Sequence, residues 1–92
     1  VACGAFKIFN KDSVEVKRMF VLPNFRGRGI ASLILQELEK WALEEKFTYC
    51  ILETGLRQPE AIALYKKNNY KITTNYPPYE NIDNSVCFKK ML

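Results

Sequence analysis

Arg26-Gly27-Arg28-Gly29-Ile30-Ala31-Ser32 is the stretch on which the fold turns. It follows a segment that reads as a strand ending at Leu22. It leads into apolar residues at helical spacing, Ile30, Leu33, Ile34, Leu38, Trp41 and Ala42. Pro23 stops the strand, and the spacing predicts a helix from residue 30 to about residue 46. Glycines at 27 and 29 let backbone approach a ligand closely. Successive N–H groups at a helix start, reinforced by the helix dipole and two arginines, form an anion site suited to a pyrophosphate, to which Ser32 can add a hydroxyl. The same residues also fit an ordinary strand-to-helix turn with solvated arginines. No Gly-Lys-Ser/Thr follows, which excludes the nucleoside-triphosphate P-loop. The third glycine and later acidic partner of a dinucleotide fingerprint are not in place either.

Working outward, residues 1–9 read as a strand, and Asn10, Lys11, Asp12 and Ser13 as the turn of a hairpin. In the segment from 14 to 22, Val14, Val16, Arg18 and Phe20 alternate with Glu15, Lys17, Met19 and Val21. This is strand patterning that gives each face a polar and an apolar member. Beyond the first helix, residues 49–52 form a short buried strand, terminated by Glu53, Thr54 and Gly55 and expected to lie parallel to the second strand. Residues 58–68 read as a shorter helix, with Pro59 in its first turn and Ala61, Ile62, Leu64 and Tyr65 along its apolar stripe. Asn68 and Asn69 supply its left-handed stop. Residues 70–76 and 85–92 are two closing strands, separated by a loop containing Pro77, Pro78 and Tyr79. The predicted fold is α/β, a mixed sheet in the order β-β-α-β-α-β-β. It forms a single domain over residues 1–92 with one right-handed crossover and hairpins at its ends.

Composition narrows the chemistry. The 92 residues are 48% hydrophobic and 26% charged, a globular balance in which charges interrupt every apolar run before membrane-spanning length. Histidine is absent, which removes the commonest general base and metal ligand, so no metal is expected and catalysis falls to carboxylate, tyrosine, cysteine, lysine or backbone. Cys3, Cys50 and Cys87 sit in apolar runs without regular spacing, which fits a reducing cytoplasm better than a disulfide framework. Cys50 and Cys87 read as buried packing rather than nucleophiles. A net charge of +4 favours anionic partners without choosing among them.

Arg26, Gly29 and Ala31 satisfy the pattern Arg/Gln-x-x-Gly-x-Gly/Ala. Around them stand Glu15-Val16-Lys17-Arg18-Met19-Phe20-Val21-x-Pro23, Leu52-Glu53-Thr54, Ala61-x-x-Leu64-Tyr65 and Asn69-Tyr70. Together these five elements resemble, over most of the chain, the GNAT superfamily of acyl-CoA-dependent N-acetyltransferases. The resemblance implies a GNAT-like fold and acetyl transfer from acetyl-CoA to a primary amine of a small molecule or peptide, directly, in a ternary complex. Arg26, Gly27, Arg28, Gly29, Ile30, Ala31 and Ser32 would cradle the coenzyme A pyrophosphate. The strand edge at Phe20, Val21 and Leu22 would pair with pantetheine where neighbouring strands splay, and Gln58 would contact the same arm.

By the same resemblance Tyr65 is the general acid for the departing CoA thiolate, and Glu15 the base on the acceptor amine, directly or through water. Glu53 is a second acceptor-side carboxylate. Tyr76 and Tyr79, with Asn81, wall the acceptor site. Each role has a packing counterpart. Tyr65 also fits a helix stripe with its hydroxyl at the rim, Glu15 a surface carboxylate paired with Lys7 or Lys17, and Glu53 a partner for strand-end backbone. A non-catalytic CoA-binding or regulatory module is the alternative function. A nucleic-acid-binding domain is disfavoured because Arg26 and Arg28, Lys66 and Lys67, and Lys89 and Lys90 lie on separate elements. The family usually has a further strand and helices before the segment matching Val1. The chain is therefore expected to be a portion of a longer enzyme, or else to complete itself as a homodimer through an exposed sheet edge. Asn69 stands where the family commonly has glycine.

Overall fold

The computed structural model describes residues Val1–Leu92. Its N-terminal hairpin joins β1 (Ala2–Ile8) to β2 (Ser13–Val21), antiparallel across a turn in which the Asp12 N–H donates to Asn10 Oδ1 at 2.9 Å. Between the pairs Cys3↔Phe20 and Ala5↔Lys17, β2 carries one residue more than β1, and Arg18 takes a φ of 57° to absorb it. The bulge reverses the side-chain alternation. Val14 and Val16 join the core before it and Met19 packs on that core after it, whereas Glu15 and Lys17 face the other way. The helix-facing side is therefore apolar throughout rather than mixed as the unbroken alternation predicts, since the period shifts by one at Arg18. Gly4 lies opposite the bulge. A Cβ there would stand 2.7 Å from Met19 Sδ and 2.8 Å from Ile34 Cγ2, so only glycine lets the first helix approach this closely.

That helix, α1 (Ile30–Glu44), leads to β3 (Tyr49–Gly55), which pairs parallel with β2. Then α2 (Pro59–Lys67) leads to β4 (Lys71–Thr73), and β5 (Ser85–Met91) inserts antiparallel between β3 and β4. The sheet order is β1-β2-β3-β5-β4, so both helices serve as connections between parallel strands, one more than predicted.

Both helices also end alike. The N–H of Lys46, at φ 69°, donates to Leu43 O and that of Phe47 to Ala42 O, while Asn69, at φ 71°, donates to Lys66 O and Tyr70 to Tyr65 O. This paired closure ends α1 two residues before the predicted limit and assigns the left-handed stop to Asn69 alone, because Asn68 remains at φ −92°.

Both helices pack on one sheet face. Leu35, Leu38 and Ala42 of α1 and Tyr65 of α2 close over Val14, Cys50, Leu52 and Phe88. Full burial of Leu35, Leu52 and Phe88 contributes roughly 1.5–3 kcal/mol each. A buried polar link adds to this packing, with Glu39 of α1 accepting from Tyr70 Oη at 2.9 Å and from Lys90 Nζ of β5 at 2.7 Å.

Two strands differ from expectation. β3 runs on to Gly55 because β5 pairs with it as far as Gly55↔Ser85, so Glu53 is inside the strand and does not end it. β4 stops at Thr73, since Asn75 and Tyr76 turn their side chains to other partners and Pro77 and Pro78 have no N–H to donate.

Candidate functional site

β2 and β3 pair only over Ser13–Glu15 against Tyr49–Ile51, register Glu15↔Ile51 being the last. Beyond it β2 follows β1 to Val21, and β3 follows β5 to Gly55. The bulge at Arg18 bends β2 away, so a notch opens between two strands that keep their outer partners. Its helix side and its opposite side carry different chemistry.

On the helix side lies a cavity of about 820 Å³. β2 contributes Phe20 and Val21, the following loop Arg26, Gly27 and Gly29, α1 its first residues Ile30, Ala31 and Ser32, and α2 Tyr65. The loop is built to present main chain. Gly27 and Gly29 both have φ 77°, and a Cβ at either would meet nothing within 4 Å. The Arg26 N–H donates to Pro23 O and the Leu33 N–H to Gly29 O, but none of the six N–H groups of residues 27–32 donates to a protein acceptor. A helix start alone leaves four donors free, and the two left-handed glycines extend the series into a nest that fits an anionic oxygen cluster. Arg26 is fixed beside it, its Nε donating to Val21 O at 2.9 Å and its guanidinium lying 5.7 Å from the Phe20 ring centre.

Ser32 Oγ accepts from Asn68 Nδ2 at 3.0 Å, and the same amide donates to Leu64 O at 2.9 Å. Buried Asn68 therefore braces the end of α2 against the start of α1 and leaves the Ser32 hydroxyl proton for another acceptor. Across the cavity the Tyr65 ring packs on Tyr70 and Phe88. Burial pushes its hydroxyl above the ordinary value of 10.0, so it holds its proton through neutral pH. Three predicted contacts fall outside this cavity. The Arg28 side chain stacks on Phe25 at 5.4 Å, Leu22 is exposed and its N–H donates to Val1 O, and Gln58 holds the N-cap position of α2 without a side-chain cap hydrogen bond, its Cγ beside Gly55. Asn68, read from sequence only as part of a helix stop, and the cavity residues Glu60 and Lys67 were not among the predicted site residues. Only the polar character of Asn68 on an otherwise apolar stripe hinted at a partner.

On the opposite side Glu15 is buried at the apex of the notch, its side chain 4% exposed, rather than on the surface. Its Oε2 accepts from Tyr76 Oη at 2.8 Å, and Lys7 and Lys17 place their ammonium groups 3.7 and 3.8 Å away. Tyr76 is held between Phe9 and Tyr79 by edge-on ring contacts. Burial, and then the hydrogen bond to Glu15, push the Tyr76 hydroxyl well above its usual range. Glu53, on the other bank, accepts from Ser85 Oγ at 2.6 Å. Cys50 and Cys87 are buried, and burial raises the Cys50 thiol to about 11, so neither offers a thiolate near neutrality. Asn81 is exposed in the loop beyond Tyr79.

The description Acetyltransferase (GNAT) family fits residues 1–70 of the chain. Aligned over its whole length, the chain is 39% identical to an IAA acetyltransferase of Azospirillum brasilense, covering 61% of that protein. The crystal structure of a putative acyl-CoA N-acyltransferase from Klebsiella pneumoniae matches the whole chain with a TM-score of 0.95 at 35% identity, over 63% of its own length. A GNAT family acetyltransferase from Elizabethkingia anophelis, solved with acetyl-CoA bound, shares the fold at a TM-score of 0.85 and 21% identity; the match covers all of this chain and 69% of that one. The chain thus spans about three-fifths of the Azospirillum relative.

Proposed function

The chain belongs to the GNAT acetyltransferase family, and from that membership we propose that it transfers an acetyl group from acetyl-CoA to a primary amine, both held together in a ternary complex. The observation that carries this reading is the run of six N–H groups without protein acceptors at the cavity mouth, with Tyr65 on the facing wall. Bound acetyl-CoA would supply an acetyl group already activated as a thioester. The N–H groups of 27–32, with Arg26 and the Ser32 hydroxyl, hold the pyrophosphate. The β2 edge at Phe20 and Val21, left without a strand partner on the notch side, offers main-chain groups to the pantetheine amides.

Tyr65 keeps its proton at Oη and can release it to a thiolate leaving group; burial ensures the proton is present at working pH. Two carboxylates compete for the amine proton. Glu15 has Oε2 engaged by Tyr76 Oη and only 4% of its side chain exposed, which leaves no room for a substrate nitrogen. A water-linked route to it is the only one compatible with that burial. Glu53 has a single partner, Ser85, and lies on the rim of the notch, so it is the carboxylate open to direct proton transfer.

Calorimetric titration with acetyl-CoA tests the reading. The chain is expected to bind saturably, and Gly29→Asn to weaken binding by at least about tenfold, the scale of one hydrogen bond to a charged group. Asparagine tolerates the left-handed backbone, so an unchanged far-UV spectrum will separate lost binding from lost folding. Absence of binding by the folded parent chain, or equal affinity of the variant, would overturn the assignment.

A further inference from the structure

Resting on the transferase reading, we infer that the acceptor is a primary amine that also carries an acidic group, with Lys7 and Lys17 receiving that group and Glu53 the ammonium. The side of the notch away from the helices is electrically lopsided. On the β1–β2 bank two ammonium groups flank one carboxylate, Glu15. The tight contact of Glu15 is with neutral Tyr76 at 2.8 Å, while both lysines stand off at 3.7 and 3.8 Å. Neither lysine is locked in a charge-assisted hydrogen bond, which closes to about 2.7–2.9 Å. Their side chains remain 63% and 36% exposed, and the one other polar contact of Lys17 is a 3.5 Å approach to Tyr79 Oη. One positive charge and several N–H donors are thus left over.

On the β3 bank the balance is reversed. Glu53 has a hydroxyl partner but no cation within ion-pair distance. Glu15 and Glu53 share a sheet face, two register positions apart across the opening. A molecule with an amine at one end and an acid at the other meets complementary charge at both banks. A diamine meets two ammonium groups where its second cation would have to go, and like-charge juxtaposition of that kind is an effective discriminator.

Two acceptors of equal length separate the possibilities, 4-aminobutyrate and 1,4-diaminobutane. Their binding is read by amide NMR shifts of the labelled chain saturated with coenzyme A, and their turnover with acetyl-CoA by thiol release. We expect 4-aminobutyrate to shift amides around Lys7, Lys17 and Glu53 and to have the higher kcat/KM. The double variant Lys7→Gln/Lys17→Gln should lower the ratio of kcat/KM for 4-aminobutyrate over 1,4-diaminobutane by at least about tenfold, through KM, as expected when a bond between charged groups is lost. Preference for the diamine, shifts confined to other residues, or a ratio unchanged in the variant would overturn the acceptor class. Failure of coenzyme A itself to bind would overturn the transferase reading, a result distinct from any of these.

Discussion

In the proposed reading, the recognising atoms of the notch toward the helices are main-chain N–H groups of residues 27–32. Away from the helices they are the side chains of Lys7, Glu15, Lys17, Glu53 and Tyr76, drawn from three strands and a loop. A main-chain site is insensitive to most substitutions, because any residue supplies the same N–H, and it fails only where a side chain intrudes or a left-handed φ is refused. A side-chain site changes with every residue. The first arrangement suits a ligand common to many relatives, and the second suits a partner that differs among them. A single cause serves both, since the bulge at Arg18 reverses the facing of β2 and bends it from β3.

The largest expected effect bears on the helix side. Tyr65→Phe removes the proton donor but keeps the ring that packs on Phe88, so kcat should fall by about 10²-fold or more with little change in KM for acetyl-CoA. Steady-state kinetics decide, and an unaltered kcat would return Tyr65 to a purely packing role.

Glu53→Gln probes the other bank and should reduce kcat/KM for the amine by some tens-fold at neutral pH, below the ceiling for general base catalysis. The deficit should shrink as pH approaches the amine's own pKa, where solvent removes the proton. If Glu15→Gln produced this pattern instead, the two carboxylates would exchange roles.

Asn68→Ala sharpens the comparison from the helix side. Removing a side chain that donates to both Ser32 and Leu64 should weaken acetyl-CoA binding by only several-fold, with a stability loss of about 1 kcal/mol. Paired calorimetry and urea titration will show whether the brace serves binding, folding or both.

The smallest effect at neutral pH is an alkaline one. Burial raises the pKa of Tyr65, Tyr70 and Cys50 near the helices and of Tyr76 and Cys87 across the sheet. These groups are neutral when protonated, so their full contribution is present below the unfolded values of 9.0 for cysteine and 10.0 for tyrosine. As pH rises past those values the unfolded chain releases protons that the folded chain retains, and stability falls by no more than about 1.4 kcal/mol per pH unit for each group. Tm should be flat with respect to these groups up to pH 9 and decline above it. A Tyr76→Phe variant should soften that decline, and an identical slope would show that the acceptor-side tyrosine takes no part.

Much of this was legible in the residues themselves. Gly27 and Gly29 announced a left-handed loop of main-chain N–H groups without protein acceptors, and the stripes from Ile30 and Ala61 announced two helices. Each depends on neighbours a few positions apart, where glycine's freedom, helical periodicity and proline's missing N–H act without reference to distant chain. Asn69 was legible for the same reason, since asparagine accepts a left-handed φ locally, but Lys46 was not, because nothing intrinsic to lysine marks the same backbone state.

The tertiary structure alone decided what depended on contacts between distant residues. Alternation read along β2 could not reveal its bulge, which exists only relative to the register of β1. Glu15 is buried because Tyr76, 61 residues later, leaves its strand to reach it, and that departure is also why β4 is short. Asn68 reads as a helix stop until Ser32 stands 3.0 Å away. The side chains of Gln58 and Arg28 have the right chemistry for the cavity, yet neither residue lines it, the Arg28 guanidinium lying over Phe25 instead. Conformation is set by each residue and its near neighbours, whereas burial, pairing and direction belong to the assembled sheet and helices, whose distances no linear spacing encodes.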